Sequence, residues 1–259
     1  MNGGDTADPS NAANAGHTGR NLVFDQSHSG ATTLNVVVTG AGTLNIGNIT
    51  NINSDNTSDV STLTIGNGAA ATVVIINGTV TGNTVGGAET ATASDLNIVV
   101  DGSNGGSGVQ AVKFYGNVDA ETGLSLHGDA NGITTVTIGD GTNAAVFSGT
   151  IAFGDAGTDS VDILTLAAGG AEVAGAIDLA ANGGTTLVIN MGEASTISGA
   201  ISDTANATLV TVNVDGNATI SGAVDAGNTT ATNIAVDDTK TLTLSGTGTI
   251  TGNNIDRSE

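Results

Sequence analysis

Between residues 185 and 224 the chain repeats one pattern twice with an offset of 23 residues. In the first copy Leu187, Ile189 and Met191 alternate with polar or outward-facing residues, and Ile197-Ser198-Gly199-Ala200-Ile201 closes the unit. In the second, Val210, Val212 and Val214 take the alternating part and Ile220-Ser221-Gly222-Ala223-Val224 the closing part. Alternation of branched apolar and small polar residues around a glycine turn predicts strand, turn, strand, with one side of each strand in a core. A unit this small cannot bury that side alone.

The pattern extends over most of the chain. Leu34-Asn35-Val36-Val37-Val38 and Thr43 to Ile49 make a first unit, and a polar loop is expected from Asn51 to Asp59. Further units begin at Thr62, Leu96, Val136 and Ile163, and a last one at Leu242. The closing glycines Gly82, Gly116, Gly149, Gly175, Gly199, Gly222 and Gly252 lie 34, 33, 26, 24, 23 and 30 residues apart. Repeats of this length predict an all-β fold, a parallel β-helix (β-solenoid) with irregular coils of about 23 to 34 residues. Eight such coils at about 4.8 Å per strand would make a rod roughly 40 Å long. No segment carries a sustained helical period; Ala167 to Ala181 is alanine-rich, but its glycines oppose a helix. The expected organisation is an N-terminal arm over residues 1–20, the solenoid over 21–254 and a short tail over 255–259.

Composition narrows the interior. Of 259 residues 40 are glycine and 2% aromatic, which predicts a slim core lined by Val, Ile, Leu and Ala, with Thr, Asn, Ser and Asp on the outer faces. Hydrophobic residues at 38% and a mean hydropathy of +0.16 are too high for a disordered chain. Without cysteine there is no disulfide or thiolate chemistry.

Charge then narrows the partners. A formal net charge of −21 repels nucleic acid and anionic lipid, so neither is expected as a partner. The first 20 residues lack the apolar core of a signal peptide, and no stretch approaches the roughly 20 apolar residues of a membrane span. Divalent cations are the natural counter-charge. Asp101, Asp140 and Asp215, each followed by glycine, are the candidate Ca²⁺ ligands if neighbouring coils stack them; their simpler role is turn formation, where Asp and Gly tolerate positive φ.

Catalytic chemistry finds little material. A β-helical polysaccharide-active enzyme needs carboxylates clustered with a cation. The only basic residues are Arg20, Lys113, Lys240 and Arg257, of which Arg20 and Arg257 fall in the expected tails, and a carboxylate cluster beside Lys113 is the feature to seek. His17, His28 and His127 are not at metal-ligand spacing. Thr-x-Thr pairs at Thr62/Thr64, Thr135/Thr137, Thr241/Thr243 and Thr247/Thr249 suit an ice-binding ladder, but threonine is also simply a good polar residue for a strand surface.

The blocks TLTIGNG, ATISGAV and TLTLSGTGTITGNN resemble the repeat passenger regions of bacterial surface autotransporters of the rickettsial outer-membrane type, and are similar in composition to surface-layer proteins. That resemblance, over roughly residues 34–254, implies a right-handed parallel β-helix at the bacterial cell surface with a role in coats or adhesion. A solenoid also leaves unpaired backbone groups at both ends. The expectation is therefore an extracellular, non-enzymatic protein that polymerises head to tail into a filament, sheath or surface layer. The alternatives are a monomeric adhesin binding a cell-surface glycan and the polysaccharide-active enzyme.

Overall fold

The computed structural model describes residues 20–25, 33–36, 42–52, 60–66, 72–85, 88–89, 96–101, 109–120, 123–127, 133–153, 161–179, 186–202, 209–225, 231–246, 250–251 and 254–256. Within them are 27 strands and no helix. Almost all pairing is parallel between one coil and the next; the exception is a short antiparallel step between Val80–Val85 and Ala88–Glu89. The fold is a parallel β-solenoid.

Each coil has three strands rather than two. The repeat at Thr186–Met191, Thr196–Ile197 and Ile201–Ser202 lies under Leu209–Val214, Ala218–Ile220 and Val224–Asp225. Stacking these gives three faces. The first holds the long strands, including Val109–Phe114, Ile133–Ile138, Val161–Leu166 and Ala231–Val236. The second holds short strands such as Val118–Asp119, Val146–Ser148 and Glu172–Val173. The third is a sheet of nine strands, from Thr33–Val36 to Ile250–Thr251. Nine strands have eight spacings of about 4.8 Å, which keeps the expected length of roughly 40 Å.

The extra level comes from Arg20–Asp25, which pairs with the second half of Gly42–Ile52. Arg20 therefore opens a strand, while residues 1–19 lie outside the described residues. At the other end Asn254–Asp256 pairs with Ala231–Val236, so the ladder continues into the expected tail. Asn51 is fully buried and belongs to a strand, not to the expected loop. Ala167 to Leu179 folds as a turn and two short strands, as its glycines require.

The closing glycines mark the corner between the second and third faces. Gly149, Gly175, Gly199 and Gly222 stand one above another, and a Cβ on each of the last three would overlap the carbonyl oxygen of the one before. Backbone bonds continue through the corner, from Ile177 N–H to Ala200 O at 2.8 Å and from Ile201 N–H to Ala223 O at 2.8 Å. Two members of the expected series fall elsewhere. Gly116 lies against Gly78 at the corner between the first and second faces. Gly252 lies outside the described residues, and pairing of Leu244 with Ile220 puts Gly246 level with Gly222 instead. The corner positions 149, 175, 199, 222 and 246 are thus 26, 24, 23 and 24 residues apart, a more even spacing than the sequence suggests.

The core is one continuous apolar column, but it is not uniformly slim and aliphatic. Phe114, Phe147 and Phe153 are fully buried in adjacent coils, with the first two rings edge to face at 6.4 Å between centroids and 68° between planes. Polar residues also face inward. Gln110, Thr134 and Asp162 occupy one register position in successive coils, where the next two carry Leu187 and Val210. Thr134 donates its hydroxyl to the His127 carbonyl at 3.3 Å. Polar identity alone therefore does not place a residue on the outer surface.

Candidate functional site

The three candidate calcium ligands are dispersed. Asp101 ends a strand of the third face, in register with Gly66 and His127. Asp140 and Asp215 lie at the corner between the first and second faces, following Ile138 and Val214 respectively. Three strand spacings separate those two coils, about 14 Å, so no single cation touches both carboxylates. The loop at Gly105 to Gly108 lies outside the described residues. Among the described residues there is no group of three or more His, Cys, Asp or Glu able to hold a metal ion.

Asp140 has a structural task. Its Oδ1 accepts the Thr142 and Asn143 N–H groups, both at 2.7 Å, and its Oδ2 accepts the Asn143 amide at 2.8 Å. These bonds, led by the Asn143 backbone, hold its carboxyl below the usual range. Positive φ belongs not to Asp140 but to the glycines either side, Gly139 and Gly141, both at 88°. At Gly216 the requirement is space: a Cβ there would overlap the Glu193 backbone.

The same corner carries a ladder of side chains that cap the next coil. Asn48 Oδ1 accepts Thr79 N–H at 2.9 Å, Asn117 Oδ1 accepts Val146 N–H at 3.0 Å and Asn217 Oδ1 accepts Thr241 N–H at 3.1 Å. Glu193 accepts both the backbone N–H and the amide of Asn217, at 3.0 and 2.9 Å, with Lys240 Nζ 3.7 Å away. Asn217 is the main reason its carboxyl sits below the ordinary value, and Lys240 adds to it. A lowered folded-state pKa contributes stability that is present above the unfolded value and lost as pH falls through the folded one. Glu193→Gln is therefore expected to lower the melting temperature at neutral pH, with the gap from wild type closing in acid as pH falls below the ordinary glutamate value of 4.5. A gap unchanged across that window would show that the carboxylate charge is irrelevant to the cap.

The other expected sites do not assemble. Lys113 faces outward on the first face between Ile75 and Thr137, so its register neighbours are not carboxylates. His127 is exposed at the end of a third-face strand, and His17 and His28 lie outside the described residues. The Thr-x-Thr pairs are scattered: Thr62/Thr64 on the third face, Thr135/Thr137 on the first, and Thr243 on the second with Thr241 just before its strand. Thr247/Thr249 lies outside the described residues, and the described pairs form no common ladder. A depression of about 640 Å³ on the second face is lined by Thr79, Thr81, Asn117, Asp119, Val146 and Ser148, without an aromatic platform for a sugar ring.

The chemistry on offer is instead that of the C-terminal end. Phe147, Val173, Ile197, Ile220 and Leu244 hold one inward register position in five successive coils. The first four are at most 1% exposed, whereas Leu244 is 51% exposed. Leu242 beside it is only partly buried, and Ser245 shares a 3.1 Å hydroxyl contact with Ser221 below. Sequence reading missed this residue's significance because Leu244 has the same local pattern as its buried counterparts. No family model, curated protein or solved structure matches the chain.

Proposed function

We propose that the protein is an extracellular structural rod that lengthens end to end into a filament, sheath or surface layer, without catalysis. The observation that carries this reading is Leu244, a core residue by register that stands half open to solvent while its counterparts in the four coils below are buried. Another copy's first coil would continue the parallel ladder and bury that side chain, as each coil buries the one below. A charge of −21 suits an aqueous, solvated exterior.

Electron microscopy of the purified chain at increasing concentration tests the reading. Rods several times the roughly 40 Å of a single chain are expected. Leu244→Lys, which puts a charge on the open end, is expected to return them to single length. Uniformly single rods at the highest soluble concentration would exclude end-to-end growth.

A further inference from the structure

The outer side of the first face differs from the rest of the surface. From Gly42 to Val236 its outward-facing described residues include Val73, Ile75, Ile133, Ile163, Val188 and Thr211, and the only charged one is Lys113. Acids are placed everywhere else: Asp119 and Glu172 on the second face, Asp101, Asp178 and Asp225 on the third, and Asp140, Glu193, Asp215, Asp237 and Asp238 at the corner. In a chain of net charge −21, an outer side without a carboxylate across that span is a marked segregation; the next acid on this face is Asp256, in register with Ala235 in the coil that follows.

Three of its polar side chains are linked to one another. Asn213 Nδ2 donates to Asn190 Oδ1 at 2.9 Å, and Asn190 Nδ2 donates to Thr165 Oγ1 at 3.3 Å, along the rod axis. The Asn213 and Asn190 amides can therefore be covered without losing these partners. On this surface Ile133 is 37% exposed and the neighbouring outward residues are half-buried.

We propose that this face binds the same face of a second copy, pairing rods side by side. The charge distribution selects that occupant: among the described residues, this is the face on which two chains of this acidity can approach closely without opposing carboxylates. Seven spacings of about 4.8 Å between its eight strands and six residues at about 3.3 Å give roughly 650 Å² per copy, or about 1,300 Å² for the pair, within the range of specific interfaces. Sheets packed this way lie about 10 Å apart, with Ile163 and Val188 near the centre. The pairing does not depend on the ends: a face pair stops at two copies, whereas end pairing gives longer species.

Because the chain has no cysteine, single replacements report contacts cleanly. In purified protein, Val188→Cys treated with a short bismaleimide is expected to give covalent dimers at least about ten-fold faster than Ala152→Cys on the third face, since pairing raises the local thiol concentration. Added salt should raise the yield by screening the remaining repulsion. In sedimentation velocity Val188→Glu, which sets like charges opposite each other, is expected to weaken dimerisation about ten-fold or more while its circular dichroism stays that of the parent. Equal crosslinking rates at the two sites, an unaltered dimer in Val188→Glu, or dimers that form only when a glycan or other macromolecule is added would overturn the proposal.

Discussion

Replacing Gly199 by alanine is expected to lower the unfolding free energy by about 3 kcal/mol, as overpacking at a site that cannot relax. The added Cβ would overlap the Gly175 carbonyl oxygen and crowd its carbon, and backbone cannot swing aside as a flexible side chain can. Moving the corner outward would stretch the flanking bonds from Ser198 N–H to Val173 O, 2.9 Å, and from Ile201 N–H to Ala223 O, 2.8 Å. Gly42→Ala is the matched control, because nothing lies within 4 Å of its added Cβ and its φ is ordinary. There the change is expected to stay within about 1 kcal/mol and to favour the folded state through lost chain entropy. Urea titrations of the two variants make the comparison; equal costs would mean the corner stack is looser than its geometry implies.

The second large effect is at Phe147, where truncation to alanine is expected to cost about 4 kcal/mol. The ring is fully buried and meets Phe114 edge to face, so its loss removes a favourable aromatic geometry as well as apolar area. Neighbouring coils held by their own ladders cannot close the cavity without breaking register. Coupling in a solenoid runs mainly between nearest neighbours. Hydrogen exchange should therefore rise between Val109 and Leu166 while Leu209–Val214 keeps its protection. A uniform loss of protection along the chain would argue instead for a single cooperative unit.

Much of the architecture is legible in the sequence. Leu187, Ile189 and Met191 alternate with Val188 and Asn190 both in sequence and in burial, because a strand's two-residue period is enforced by the same backbone that pairs it. Gly149, Gly175, Gly199 and Gly222 could be picked out as recurring, and they do stack. The candidate site was less legible. Asp101, Asp140 and Asp215 share an Asp-Gly signature, yet one lies on a different face and the other two are three coils apart, since a dipeptide motif carries no information about rung number.

What the sequence determined by itself is the strand content, the inward apolar rows and the existence of a coil repeat, all of which follow from periodicities within a few residues. Only the tertiary structure decided that Ile197-Ser198-Gly199-Ala200-Ile201 is two strands around a corner. Ile197 and Ile201 both point inward whether the segment runs straight, where residues four apart share a side, or bends at Gly199. It likewise decided that Asp162 is buried and Val188 outward, against their polarities. And it set Leu244 apart from Ile220, because exposure at a coil's end depends on whether another coil lies above it, a property of the stack that no local sequence pattern encodes.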